Sequence, residues 1–244
     1  MKSIIALLCC AASLTLHAQT TFISEGKIIF EKKIDLLKEW ANNWRYKGAL
    51  DKIPKYHTTQ HFLYFSHDKT LFEKGEDIAE KNPYYKDDQN DDDIVYTDLQ
   101  NGRFVKKQAV YDETILLSDS IRAIQWEMTN DTRVIAGFEC HKATAIILDS
   151  VFVVAFYTDQ LMVNGGPMSF TNLPGMILGI AIPRMNLTIF ATKVELSSPA
   201  PAKLIPPTEK QKLDYKGFAV YINAFTKRRL EFLEAIRYTL QAYL

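Results

Sequence analysis

The chain has 244 residues, of which 47% are hydrophobic and 24% are charged, and its 29 basic and 29 acidic side chains give a formal net charge of +0. A neutral chain has no bulk electrostatic attraction to nucleic acid, which excludes that class of partner. The length suffices for one sizeable core without disulfides or structural metals.

The first residues, MKSIIALLCCAASLTLHAQ, predict a cleavable signal peptide. Lys2 provides a basic start, residues 4–16 form an apolar run of signal-peptide length, and Ala18 is a small residue at the cleavage position. We therefore expect residues 1–18 to be removed and the protein to be periplasmic, with no integral membrane segment after cleavage. Cys140 is then the one thiol left, and we expect it to be buried and inert.

The elements follow in chain order. Alternation of Ile28, Phe30 and Ile34 with charged residues predicts a strand with one solvated face. The segment LLKEWANNWRYKG predicts a short amphipathic helix on the stripe of Leu36, Trp40 and Trp44. Residues 58–74 predict a hairpin, and Asn101-Gly102 marks a second one. Further strands are predicted at 114–117, 123–128, 138–148, 152–157, 176–182 and 187–196.

Roughly ten short strands at turn-like spacing predict a mainly β (α+β) fold, built as one large curled antiparallel sheet or half-barrel. Residues 19–244 would form a single β-rich domain. Within it, the prolines of 197–208 predict a linker, and Thr208 with Gln211 predicts a capping box for a helix that starts near Glu209. The segment 209–244 is predicted to be helical, because apolar residues recur at steps of three and four: Leu230, Leu233, Ile236, Leu240 and Tyr243. We expect the C-terminal helices and the short N-terminal helix to cover one face of the sheet.

The segment NLPGMILGI, residues 172–180, places a turn directly before an apolar run. Pro174 and Gly175 suit the two central positions of a type II turn, of which the second needs a positive φ, and Asn172 tolerates a left-handed backbone. The unbroken apolar run predicts a strand that is covered on both faces. Gly179 would leave room for a close neighbour such as the C-terminal helix.

Three segments, IAGFECHKATAII, VVAFYTDQL and GGPMSFTNLPGMILGI, resemble the GLPGLI family of exported proteins from Bacteroidetes-type bacteria. The matching residues are Gly137, Phe138, Cys140, Lys142, Ala143, Phe156, Tyr157, Thr158, Gly166, Pro167, Leu173, Pro174, Gly175 and Ile177. Asn172 stands in place of a signature glycine and Met176 in place of a leucine, and both keep the backbone or apolar requirement. The resemblance implies no established activity. The strand order is also similar to that of periplasmic lipoprotein carriers, at the level of fold alone.

Metal chemistry has several candidate ligands in the sequence. His57 and His61 are four residues apart, which in a strand is about 13 Å, so they cannot share one ion unless the segment is helical or irregular. Four methionines could suit Cu(I), although scattered packing residues explain them better: Met162, Met168, Met176 and Met185. The acidic run 87–93 lacks the glycine and terminal glutamate of an EF-hand, so we expect a solvated loop.

The sequence contains no nucleophile elbow, phosphate loop or dinucleotide fingerprint. We therefore predict no catalytic residue, no metal and no cofactor. The function that we expect is that of a non-enzymatic periplasmic module, which binds a hydrophobic ligand or an envelope partner, such as an outer-membrane protein, in an apolar groove between sheet and helices. A metal-handling protein and an enzyme with a site assembled from scattered residues remain open alternatives.

Overall fold

The computed structural model describes residues 23–41, 48, 50–76, 91–110, 113–229, 239, 240 and 242–244. The predicted signal peptide, Trp44, and residues 230–238 and 241 of the predicted helical segment lie outside these residues. The described part is mainly β, with few helices. Its strands are β1 (Glu25–Asp35), β2 (Tyr56–Ser66), β3 (Lys69–Lys74), β4 (Ile94–Asp98), β5 (Arg103–Val110), β6 (Glu113–Ser120), β7 (Glu127–Ile135), β8 (Phe138–Ile147), β9 (Val151–Thr158), β10 (Met176–Ile182), β11 (Leu187–Glu195) and β12 (Lys212–Leu213).

The strands form one large, open sheet in the order β12-β6-β5-β4-β3-β2-β1-β11-β10-β9-β8-β7. All neighbours are antiparallel except β12, which pairs with β6 in parallel. The first strand therefore lies in the middle, between β2 and β11. The predicted mainly β class and the large antiparallel sheet are confirmed, with twelve strands in place of about ten.

Side chains alternate between two faces of this sheet, which we call the inner face and the outer face. On β1 the inner face carries Ile28, Phe30, Lys32 and Ile34, all buried. Strand β2 continues that face with its own buried positions, because Phe30 lies opposite His61 and Lys32 lies opposite Thr59. The main hydrophobic core packs against the inner face. The intervening residues of β1 and β2 form the half-buried outer face.

Two helices of the described part begin beside an aspartate that caps them. Helix α1 (Leu36–Trp40) follows β1 directly, and Asp35 caps it by accepting a hydrogen bond from the Lys38 amide at 3.1 Å. Helix α2 (Tyr215–Arg229) begins after Asp214, whose carboxylate accepts a hydrogen bond from the Gly217 amide at 2.7 Å. Neither has the length and hydropathy of a bilayer span.

The predicted helix start near Glu209 is wrong, because residues 205–211 are irregular and β12 comes next. Gln211 instead uses its carbonyl to accept a hydrogen bond from Leu116 of β6. Helix α2 packs Phe218 and Ile222 against Phe104, Ile115 and Leu117 of β5 and β6. In the described residues it therefore covers the β5–β6 end of the inner face, and not a whole face.

Strand β10 has the predicted bounds and is covered on both faces, as expected: Met176, Ile177, Leu178, Ile180 and Ile182 are fully buried. Among the described residues, the neighbours of Gly179 are on strands and not on the C-terminal helix. A Cβ at Gly179 would meet the Phe190 ring of β11, with the Ile135 side chain of β7 also close. Edge strand β7 therefore reaches over the outer face of β10.

Candidate functional site

The signature loop before β10 is a tight structural turn. Asn172 has a φ of 71° and Gly175 a φ of 139°, so both predicted positive-φ positions are confirmed. The turn type is different, because the Gly175 amide donates to the Leu173 carbonyl at 2.8 Å. A bond across three residues with proline in the centre is a γ-turn. The Met176 amide donates to Leu161 and not to Leu173, so the turn lacks the hydrogen bond that often closes a type II turn.

Close backbone approach explains the glycines of this region. A Cβ at Gly175 would overlap the backbone oxygen of Thr158, well inside the 3.0 Å limit of real Cβ contacts. A Cβ at Gly166 would meet Ile177 and the Phe170 carbonyl. Leu173 is buried, as are Met176 and Ile177. The glycines of this region therefore lie where neighbouring backbone or side-chain atoms leave no room for a Cβ.

The other matching positions are also packed or paired. Cys140 is buried on β8, as predicted, and burial raises the pKa of its thiol to about 11. Lys142 forms an ion pair with Asp131 at 2.7 Å, and the Tyr157 hydroxyl donates to the Met128 sulfur at 3.5 Å. Gly137 occupies the β7–β8 turn at a φ of 88°. Phe138 packs against the main core, and Pro167 accepts a hydrogen bond from the Phe170 amide.

A buried polar cluster lies on the inner face of β1 and β2, and we call it the Asp91 cluster. The Asp91 carboxylate accepts a hydrogen bond from Lys32 Nζ at 2.7 Å and lies 3.3 Å from His57 Nε2. Thr59 donates to the same carboxylate at 3.4 Å, and His61 Nε2 lies 3.3 Å from the Asp91 carbonyl. All five residues are buried. His57 and His61, which strand spacing keeps apart, thus meet through one aspartate.

Charge and burial set the protonation states of this cluster. Burial alone would raise the pKa of Asp91, but the Lys32 ammonium and the His57 hydrogen bond outweigh it and hold that pKa below its usual range. Burial and the Lys32 charge lower the pKa of His61 to about 4. His61 is therefore neutral at pH 7, and because its Nε2 donates to a carbonyl, its Nδ1 carries the lone pair. That buried nitrogen has no hydrogen-bond partner.

The acidic run ends in three aspartates that pair with lysines from three different strands. Asp91 pairs with Lys32 of β1, and Asp92 pairs with Lys74 of β3 at 3.2 Å. Asp93 pairs with Lys106 of β5 at 2.9 Å. Asp91 and Asp93 are buried and Asp92 is exposed. The expected solvated loop is therefore wrong for Asp91 and Asp93, while residues 87–90 lie outside the described part.

The sequence carried a signal for the strand residues of this cluster, but not for its aspartate. Lys32 is in phase with Ile28 and Phe30, so strand periodicity alone places it on the buried face. His57 and His61 are likewise in phase with Leu63. The aspartates come from a loop, and no periodicity marks which of them turns inward.

The Asp91 cluster does not have the composition of a metal site. Within the described ranges, no group of three or more His, Cys, Asp or Glu side chains could hold a metal ion. The Lys32 ammonium also occupies the position at Asp91 that a cation would take. Buried charges that neutralise one another in this way hold a loop against a sheet. Of the four methionines, Met176 is buried and Met162 is exposed.

An open pocket of about 380 Å³ lies beside α1, at the end of β1, β10 and β11. It is lined by Lys33, Asp35, Lys38, Tyr56, Ala181, Pro183, Asn186, Leu187 and Thr188. Lys33, Thr188 and Ala181 lie side by side on neighbouring strands of the outer face. Val154 of β9 continues that row, because it pairs with Ala181.

Large apolar side chains are exposed on the same face, next to this row. Phe152 lies two residues from Val154 on β9 and is 47% exposed. Its cross-strand partner Ile146 on β8 is 68% exposed. The pocket and this apolar pair together form what we call the outer-face track, and sequence periodicity did not single it out.

A family model described as the N-glycanase peptide, N-terminal domain, matches residues 72–218, more than half of the chain. The chain belongs to this family. Its fold is similar to two structures of PNGF-II, in space groups C2 and P21. The alignment with the first structure has 15% identity and a TM-score of 0.53, and it covers 80% of this chain and 32% of the PNGF-II chain. The second has 15% identity and a TM-score of 0.54 and covers 81% and 33%.

The chain thus spans about a third of the length of PNGF-II. At 15% identity the likeness concerns the fold. A comparison with curated proteins gave no match.

Proposed function

We propose that this chain is an exported, non-enzymatic binding module that takes a hydrophobic ligand or an envelope partner on the outer face of its sheet. The observation that carries the proposal is the outer-face track, where exposed Phe152 and Ile146 adjoin a pocket. Contiguous exposed apolar surface marks binding sites more often than single scattered apolar side chains do. The core fills the inner face, which supports a binding surface on the outer face in place of the groove that we expected between sheet and helices.

The chemistry of the buried groups supports a binding role over a catalytic one. The Lys32–Asp91 and Lys106–Asp93 pairs neutralise charge within the protein, and burial keeps the Cys140 thiol protonated at neutral pH. The family relationship adds to this, because the match is to an N-terminal domain and the chain covers about a third of PNGF-II. We propose that the chain is an accessory module without N-glycan cleavage of its own.

The proposal includes export through the signal peptide of residues 1–18, a periplasmic location and membership of the GLPGLI group. It also includes a curled, half-barrel shape. On a flat sheet β7 and β10 would be about 14 Å apart, yet Ile135 of β7 lies against Gly179 of β10.

Binding is tested with a fluorescent hydrophobic probe such as anilinonaphthalene sulfonate. We expect Phe152→Ser to weaken probe binding several-fold without lowering the melting temperature, because the ring is half exposed and leaves little cavity. Val220→Ser is the matched control, since Val220 is 71% exposed on α2, outside the track. Equal probe binding by wild type and Phe152→Ser would remove the outer face from the proposal.

The enzymatic alternative has its own assay. The purified chain is incubated with an N-glycosylated protein, and the mass of that protein is followed. We expect no glycan release; release that depends on this chain would overturn the non-enzymatic assignment.

A further inference from the structure

The outer-face track has charge at one end and apolar surface at the other. Lys33 and Lys38 line the pocket, together with the carboxylate of Asp35. Asp35 is engaged at the start of α1, where it accepts a hydrogen bond from the Lys38 amide. Lys38 Nζ lies 4.0 Å from the same carboxylate and is mostly exposed. Lys33 is likewise paired with Glu31, and Glu39 accepts a hydrogen bond from Asn186 of the pocket lining at 3.2 Å. The charged end of the track therefore holds two exposed lysines, each beside a carboxylate.

The two lysines can turn toward a ligand. Lys33 pairs with Glu31 at 2.5 Å, and both side chains are about a third or more exposed. Exposed pairs of this kind contribute about 0–1 kcal/mol, so an incoming anion can replace Glu31 at little cost. The exposed Tyr56 ring also lines the pocket and can place its hydroxyl beside an acidic group.

The apolar end begins where the pocket ends. Ala181 and Pro183 line the pocket on its β10 side, and Val154 pairs with Ala181 one strand further on. Phe152 and Ile146 then extend the apolar surface to β8. From the strand spacing, Phe152 is about 14 Å and Ile146 about 19 Å from the strand of Lys33.

We propose that the outer-face track binds a single-chain amphipathic carboxylate, a long-chain fatty acid, with its carboxylate between Lys33 and Lys38 and its chain laid across Ala181, Val154 and Phe152 toward Ile146. This inference rests on the proposed function and gives it a ligand class. The positions of the lysines and of the apolar pair set the orientation, because the lysines are at the α1 end and the exposed apolar pair is at the opposite end. An elongated molecule with one anionic head fits both ends, whereas a neutral hydrocarbon leaves the lysines unused.

The test compares palmitate with hexadecanol, which has the same chain length but no charge. Displacement of a fluorescent fatty acid is measured for wild type and for Lys33→Gln, Lys38→Gln and Lys27→Gln. Lys27 is the matched control, because it lies on the same face of β1, six residues and about 20 Å from Lys33. We expect wild type and Lys27→Gln to prefer palmitate at least ten-fold. Lys33→Gln and Lys38→Gln should each lose most of that preference and keep their affinity for hexadecanol.

The outcomes separate the two levels of the proposal. Equal affinity of wild type for palmitate and hexadecanol would overturn the carboxylate assignment and leave hydrophobic binding on this face intact. The assignment would also fail if Lys27→Gln lost the preference as strongly as Lys33→Gln, because the effect would then be one of overall charge. Binding of neither molecule would contradict the fatty-acid ligand, and the probe experiment on Phe152→Ser then decides whether the face binds hydrophobic molecules at all.

Discussion

Asp91 and Asp92 are adjacent in sequence and experience opposite environments. The Asp91 side chain is fully buried against Lys32, and that of Asp92 is 74% exposed beside Lys74. Removing one partner of a buried ion pair leaves an uncompensated charge, which costs about 3–5 kcal/mol, whereas an exposed pair contributes about 0–1 kcal/mol. The two residues therefore form a natural internal comparison.

We expect Asp91→Asn to lower the free energy of unfolding by about 3–5 kcal/mol, because the Lys32 ammonium would remain buried without its counter-charge. Asp92→Asn should change it by less than about 1 kcal/mol. Urea denaturation of both variants at pH 7 measures the difference. Similar stabilities for the two would mean that Asp91 does not hold Lys32 in the folded protein.

His61 predicts a dependence of stability on pH. Its pKa is about 4 in the folded protein and 6.5 in the unfolded chain, so between these values the unfolded state binds more protons. Stability should therefore fall as the pH drops from about 6.5 to about 4, by roughly 3 kcal/mol for this residue. The groups that face it are Lys32, Lys74 and Asp91, and the Asp91 contribution is lost only below its unfolded pKa of 3.8.

Urea midpoints measured at intervals between pH 7 and pH 4 check this prediction. His61→Gln keeps a neutral polar group and should flatten the curve in that window, even if its stability at pH 7 is lower. A His61→Gln curve parallel to that of wild type would assign the pH dependence to other groups.

At the scale of elements, the γ-turn before β10 lies against the backbone of Thr158 at the end of β9. Gly175→Ala meets both a positive φ, which costs a residue with a Cβ roughly 1 kcal/mol or more, and the Thr158 backbone. We expect the free energy of unfolding to fall by at least about 2–3 kcal/mol. Thermal denaturation would detect this as a clearly lower melting temperature.

Gly102→Ala is the control for this substitution, because Gly102 has a φ of 62° in a hairpin turn and a Cβ there would meet nothing within 4 Å. Its free energy of unfolding should fall by only about 1 kcal/mol, which is the conformational cost of a positive φ for a residue with a Cβ. If Gly175→Ala is as stable as wild type but no longer binds anilinonaphthalene sulfonate, the loop is a binding site.

The success of sequence interpretation differed between elements for physical reasons. Strand β10 was predicted with its correct bounds, because Pro174-Gly175 marks its start and its residues are continuously apolar. Strand β7 was predicted at 123–128 but spans Glu127–Ile135. As an edge strand it is almost entirely exposed, so its side chains show no burial alternation. The start of α2 was misplaced because Asp214, and not Thr208, provides the cap.

At the scale of the whole molecule, the sheet class could be inferred from many short alternating segments. The candidate sites could not, because they depend on which strands become neighbours. The outer-face track joins Lys33 of β1 to Phe152 of β9, which are adjacent neither in sequence nor in predicted elements. Strand β1 is three strands from β9 only because it lies between β2 and β11. No local sequence pattern predicts that position.

The central position of β1 has a consequence for how the chain folds. Strands β2 to β6 and strands β7 to β11 each form a run of antiparallel pairs between neighbours in sequence, which can form locally and early. Strand β1 joins the two runs, and its pairing with β11 closes a loop of about 150 residues. Contacts of such long sequence separation form slowly, because the entropy of loop closure is lost before they stabilise anything. During synthesis β1 emerges before its partners, so until β11 arrives its apolar side chains Ile28 and Phe30 are the part of the sheet most in need of protection from aggregation.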